Sequence, residues 1–328
     1  LGHGADSILR TFLENRMKET NMKKLAFVFP GQGSQSLGML AEMAEKTPLI
    51  QDCFAEASAV LGYDLWKLTQ EGPEEQLNQT QYTQPALLAA GVAMWRLWCH
   101  KYPEHRPLVM AGHSLGEYTA LVCANSLNFK TAVKIVVDRG RFMQEAVPQG
   151  KGAMAAVLGL SDEQVQSVCR EASEGDIVSA ANYNSKGQVV IAGETQAVQR
   201  ALERAKAVGA KKTILLPVSV PSHCALMAPA SLRLAQQLRE TMFEVPGIPV
   251  LHNVDLSFHQ TKEAIQDALI HQLVRPVRWV ETIQLMETLG IERIVECGPG
   301  RILSSLIKRI SPSIETLSLS DCREETCL

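Results

Sequence analysis

The chain has 328 residues, enough for one large domain or two ordinary ones with ample core. Its 46% hydrophobic, 20% charged and 5% aromatic content fits a globular protein and excludes general disorder. Lys plus Arg number 32 against 35 Asp plus Glu, so no broad cationic field exists to hold nucleic acid, and every apolar run is broken too soon for a membrane helix.

The first 21 residues mix acids and bases in a way unlike a secretion signal, and we read them as leader or upstream sequence before a start at Met22. Leu25–Phe29 predicts a strand stopped by Pro30, after which Gly31-Gln32-Gly33 leads into a helical pattern through Met39, Leu40 and Met43. Helical spacing recurs over residues 50–61 and 86–98. A second strand, Leu108–Ala111, feeds Gly112-His113-Ser114-Leu115-Gly116 and another helix, so repeated βα units point to a parallel sheet wrapped by helices. The helix predicted over residues 131–147 carries Arg139 on its apolar face, flanked by Ile135, Val136, Phe142 and Met143.

From residue 151 the rhythm changes to strand, helix, strand, strand, helix, strand (153–158, 162–172, 177–181, 188–192, 195–208, 213–216). This βαββαβ order is the ferredoxin-like split pattern, so residues 151–216 are expected to form an inserted domain within a discontinuous large domain of residues 22–150 and 217–328. Helices near residues 226–242, 262–273, 280–289 and 302–310 follow, with a last strand at Arg293–Glu296 before Cys297-Gly298-Pro299-Gly300. The eight cysteines form no CxxC pair, which suggests neither zinc nor a redox dithiol and fits a reducing cytoplasm.

Gly112-x-Ser114-x-Gly116 between a strand and a helix matches a nucleophile elbow; the alternative is a turn serine that only caps the helix. A serine nucleophile needs a base. Of eight histidines, His223 and His252 remain after those in polar surroundings and His113, beside the serine, are set aside, and His223 is favoured because it follows a strand end. The hydrolase order places an acid between serine and histidine, with the histidine near the C-terminus, and this chain departs from it; a backbone carbonyl could orient the ring instead. Arg139 needs an anion, either a distant carboxylate or a substrate, unless its stem snorkels to solvent. The Gly31-Gln32-Gly33 loop completes no phosphate-binding motif and could either start a helix or lend a second oxyanion donor.

The segments FVFPGQGSQ (27–35), TQPAL (83–87), GHSLGEY (112–118), RGRFMQ (139–144), GQVVIAG (187–193), VPSH (220–223) and ECGPG (296–300) together resemble the bacterial malonyl-CoA:acyl carrier protein transacylases of type II fatty acid synthesis. The resemblance runs from about Lys24 to Ile310. It implies an α/β-hydrolase-like large domain carrying the ferredoxin-like insert. It implies Ser114 as nucleophile, His223 as base, backbone N–H groups of Gln32 and Leu115 as oxyanion hole, and Arg139 as clamp on the malonyl carboxylate. The main-chain carbonyl of Gln272 is implied to orient the histidine, with Gln84 and His113 lining the cleft. Ser222 stands where polyketide relatives often carry Phe. The implied substrates are malonyl-CoA and acyl carrier protein, with coenzyme A as a substrate handle, no cofactor, no metal, no nucleic acid and no membrane, in a cytoplasmic monomer. Lys211, Lys212 and Arg301 are candidates to steer an acidic carrier protein. A thioesterase or esterase, or a non-catalytic docking protein, would share these residues and differ in what accepts the acyl group.

Overall fold

The computed structural model describes residues 23–218 and 220–321, so the expected leader over residues 1–21 lies outside the described residues. Five parallel strands form the larger sheet in the order β7-β2-β1-β8-β9. They are β1 (Leu25–Phe29), β2 (Val109–Gly112), β7 (Val250–Leu251), β8 (Arg293–Glu296) and β9 (Glu315–Ser318). The central strand LAFVF is buried throughout, as an uninterrupted apolar run in a sheet covered on both faces must be. Its alternate side chains enter different cores. Phe27 and Phe29 pack with the helix Thr80–Lys101, whereas Ala26 and Val28 join Trp279, Ile283 and Leu306 on the other side.

The smaller sheet has the order β4-β5-β3-β6, all antiparallel, from β3 (Gly152–Leu158), β4 (Val178–Ser185), β5 (Gln188–Glu194) and β6 (Lys212–Leu215). With helices Asp162–Ser173 and Thr195–Ala207 between them, these strands give the ferredoxin-like order read from the sequence. Ser161 starts the first of those helices with a capping box closed by Gln164, which satisfies donors that would otherwise be left open at the helix start. One face of this sheet packs on its two helices; the other, with Met154, Ala156, Val190 and Ala192, meets Cys224 and Leu226 of the larger unit. Two irregularities bend β4, and Tyr183 donates its backbone N–H to Val277 while Val277 returns one to Ala181. The small sheet is thereby fixed as a roof over the carboxyl ends of β1 and β2.

Most other strand and helix boundaries fall close to the sequence reading, but the helix read over residues 86–98 spans Thr80–Lys101 and the strand read over 177–181 runs on to Ser185. Arg293–Glu296 is not the last strand, because β9 follows it, and β7 and the helices Leu65–Glu71 and Glu74–Leu77 are additional elements. Two residues of strand among prolines, or a half-exposed ETLS at a sheet edge, leave little apolar periodicity to read. Among the described residues no helix is long and apolar enough to cross a membrane.

Phe27 sits with its ring centre 5.2 Å from Trp95 and 5.0 Å from Trp98, both edge-on, at the middle of the larger core. Phe27→Ala is expected to cost about 3–5 kcal/mol of unfolding free energy by denaturant titration. A loss below about 1 kcal/mol would contradict this packing account.

Candidate active site

Between β2 and the helix Gly116–Cys123 the chain turns so sharply that Ser114 takes φ 53°, a left-handed backbone that L residues adopt at a cost of about 1–2 kcal/mol. The glycines on either side are steric requirements. A Cβ on Gly112 would lie 1.8 Å from the Gly116 carbonyl carbon, and one on Gly116 would lie 2.0 Å from the Phe29 oxygen. Asn253 spans the bend: its side-chain oxygen accepts from the Ser114 N–H at 2.9 Å and its amide nitrogen donates to the Gly112 carbonyl at 2.7 Å.

His223, also left-handed at φ 63° and almost fully buried, brings Nε2 to 2.8 Å from Ser114 Oγ. Its Nδ1 lies 2.7 Å from the Gln272 carbonyl oxygen. Since a carbonyl only accepts, Nδ1 carries the proton and Nε2 presents a lone pair to the serine hydroxyl. Burial, then the Arg139 charge, push His223 down to about 3, so the ring is neutral. The rival histidine, His252, is fully buried with Nδ1 2.7 Å from Glu117 Oε1, and its Nε2 has no partner among the described residues.

Arg139 is 1% exposed, and its guanidinium reaches neutral partners: Gln84 Oε1 at 2.8 Å, Gln272 Oε1 at 3.0 Å and Ser114 Oγ at 3.2 Å. The Tyr118 ring lies 5.5 Å from its central carbon. Among the described residues no carboxylate stands within ion-pair distance of Arg139, so the distant structural ion pair considered from sequence is not what the geometry provides. Burial lowers the guanidinium from its ordinary value.

Gln32 and Leu115 both line a cavity of about 200 Å³ that also touches Ser114, His223, Arg139, Met154 and Val190. Neither of their backbone N–H groups donates to a protein acceptor among the described residues. The loop that carries Gln32 presses so closely on the elbow that a Cβ on Gly31 would come within 2.5 Å of the His113 carbonyl oxygen. Gln84 lines the cavity beneath Arg139, and His113 lines it with Nε2 2.8 Å from Asn184 Oδ1 of the small sheet and its ring on Trp279. All eight residues singled out from the sequence thus converge on one place, seven along the cavity and Gln272 directly behind it. Exposed Arg301 flanks the lining residue Ile302, whereas Lys211 and Lys212 are not part of the lining. Among the described residues no cluster of His, Cys, Asp and Glu could hold a metal ion.

Two participants escaped the sequence reading. Glu117 is the one acid in the otherwise uncharged, fully buried helix GEYTALVC, a signal that was available, and Asn253 follows the very short β7, which was not.

The family described as acyl transferase domain matches residues 26–312. The malonyl CoA-acyl carrier protein transacylase of Salmonella typhimurium is 53% identical over 307 residues, covering 94% of this chain and 98% of that protein. Its Bacillus subtilis namesake is 43% identical, covering 92% and 94%. The structure of the malonyl CoA-acyl carrier protein transacylase from Coxiella burnetii superposes with a TM-score of 0.90 at 54% identity, covering 91% of this chain and 94% of that one. A malonyl-transacylase solved in complex with its type II PKS acyl-carrier protein does so at the same TM-score and identity, covering 91% and 96%. The chain belongs to the acyl transferase domain family and, within it, to the malonyl CoA-acyl carrier protein transacylases.

Asn253→Ala removes both ties across the elbow and leaves a buried carbonyl and N–H without partners, so a stability loss of about 2–4 kcal/mol is expected together with at least a tenfold slower reaction of Ser114 with acyl donors. Unfolding curves and stopped-flow acylation check both; an unchanged acylation rate would show that the bend holds itself. The unfolded chain protonates residue 223 near pH 6.5, while the fold does so only near pH 3. Stability should therefore fall as pH drops through that window, by about 1.4 kcal/mol per unit for this group. Urea titrations across pH 4.5–6.5 should show a steeper decline for the wild type than for His223→Gln, and parallel declines would contradict a neutral buried ring.

Proposed function

We propose that this protein moves a malonyl group from coenzyme A to the phosphopantetheine thiol of acyl carrier protein, in fatty acid biosynthesis, through a malonyl ester on Ser114. The observation that carries this reading is the line Gln272 carbonyl, His223, Ser114 Oγ, with the Arg139 guanidinium 3.2 Å from that same oxygen. A nucleophile and a buried cation within one small cavity suit an acyl group that ends in a carboxylate.

In the first half-reaction Ser114 Oγ attacks the thioester carbonyl while His223 Nε2 takes its proton. The tetrahedral oxyanion lies against the N–H groups of Gln32 and Leu115, the latter at the start of the helix Gly116–Cys123, where the helix dipole adds positive potential. Collapse breaks the carbon–sulfur bond, and the coenzyme A thiolate leaves with the proton from His223. In the second half-reaction the carrier's thiol gives its proton to His223 and attacks the serine ester, and Ser114 recovers that proton as it leaves.

Arg139 acts twice in this scheme. Its charge selects a malonyl carboxylate, since an acetyl group leaves the buried cation without an anion. After burial, the same charge holds down the basicity of His223, so a carboxylate seated against the guanidinium offsets that second contribution and raises the ring's basicity. Every group comes from one chain, so a monomer suffices. The unpaired thiols of the described cysteines and the coenzyme A donor suit the cytoplasm. Coenzyme A enters as a substrate, and the scheme uses no resident cofactor.

Intact-mass measurement after mixing with malonyl-CoA should show one malonyl adduct on Ser114, absent in Ser114→Ala. Arg139→Ala should lower malonyl transfer by roughly a hundredfold or more and spare acetyl transfer; equal losses on both would defeat the assignment. Release of free malonate as fast as transfer would favour a thioesterase instead.

A further inference from the structure

The Gln272 side chain is fully buried between three groups of unlike charge. Its Nε2 donates to the Ser114 carbonyl at 3.0 Å and to Glu117 Oε2 at 2.9 Å, while its Oε1 accepts from Arg139 Nη2 at 3.0 Å. Chemistry fixes this orientation. Reversing the amide would set oxygen against a carbonyl and a carboxylate and NH₂ against a guanidinium, so all three bonds would be lost. Glu117 is fully buried as well and accepts from His252 Nδ1, the Asn253 N–H and Gln272 Nε2. No Lys or Arg stands within ion-pair distance of Glu117 among the described residues. A buried cation and a buried anion thus lie on opposite sides of one neutral amide.

Resting on the functional reading above, we propose that Glu117 and the Gln272 side chain are specificity-determining positioning residues that supply Arg139 with a spaced counter-charge. The carboxylate offsets the burial of the guanidinium from a distance, and the amide prevents the two from pairing directly. A direct pair would be a charge-assisted contact that the substrate's own carboxylate would have to break. Gln84 and Gln272 instead offer neutral oxygens, which an incoming anion displaces at far smaller cost. The negative charge of Glu117 also counters the effect of burial on Arg139, so the cation is retained.

The test exchanges the two residues, Glu117→Gln together with Gln272→Glu, which preserves side-chain size and net charge and moves the carboxylate one hydrogen bond closer to Arg139. Single-turnover acylation of Ser114 by malonyl-CoA and by acetyl-CoA is measured per titrated active site. The malonyl-to-acetyl rate ratio is expected to fall by roughly a hundredfold, because Arg139 is then already paired. A ratio within about threefold of wild type, including equal loss of both rates as a merely structural role would give, overturns the proposal. If the exchanged chain does not fold, Glu117→Gln alone decides. Its hydrogen bonds can be kept by a tautomer shift in His252, whose Nε2 has no partner among the described residues. Half-saturating malonyl-CoA is then expected to fall by roughly threefold to thirtyfold, since a nearby negative charge is gone; an unchanged or higher value overturns the proposal. A wild-type enzyme that takes no malonyl onto Ser114 would instead sink the functional reading and leave this one without a substrate.

Discussion

The hydrogen bond between Ser114 Oγ and His223 Nε2 joins two left-handed backbone positions that are 109 residues apart in the chain. Neither conformation is favourable by itself, so both persist only because their surroundings over-determine them. At Ser114 that surrounding is Asn253, which ties both sides of the bend, and the close approach of Gly112, Gly116 and Phe29. At His223 it is the Gln272 carbonyl, which fixes the tautomer. The parallel sheet supplies rigidity: β1 and β2 pair from Ala26↔Val109 to Phe29↔Gly112, and Ser114 stands two residues beyond that last pair.

Charge in this site is arranged around a single amide residue. Gln272 holds the histidine through its backbone and holds Arg139, the Ser114 carbonyl and Glu117 through its side chain. Among the described residues the His223 ring has no acidic partner: a carbonyl stands where a serine triad has a carboxylate, and the nearby buried carboxylate, Glu117, is bonded to His252 and Gln272 and not to the His223 ring. Burial, and after it the Arg139 charge, make the free ring weakly basic. In the proposed scheme a substrate that brings its own negative charge offsets the Arg139 contribution when it binds, which ties recognition of the acyl group and activation of Ser114 to the same guanidinium.

Much of this was legible in the sequence because the signals were local. The uniformly apolar LAFVF announced a buried strand, the GHSLG turn announced a serine at a sharp strand-to-helix bend, and the βαββαβ order through residues 151–216 announced the small sheet. Arg139 stood out because its helical neighbours are apolar, and burial follows from that pattern alone. What stayed hidden is non-local. No spacing rule connects Asn253 to a bend some 139 positions earlier, and β7 is only two residues long. Glu117 is a lone acid in an otherwise uncharged helix, which is a local signal, but its partners His252, Asn253 and Gln272 come from distant segments. Gln272 entered by family resemblance, as a carbonyl; that its side chain also bridges Arg139 and Glu117 emerges only from three-dimensional contact.

The most direct measurement is a crystal structure of the enzyme trapped with malonyl on Ser114. The account requires ester density on Oγ, the ester's carbonyl oxygen within hydrogen-bond reach of the Gln32 and Leu115 N–H groups, and the free carboxylate on the Arg139 guanidinium in place of Gln272 Oε1 or Gln84 Oε1. A carboxylate turned toward solvent, with Arg139 still bonded to both amides, would contradict it.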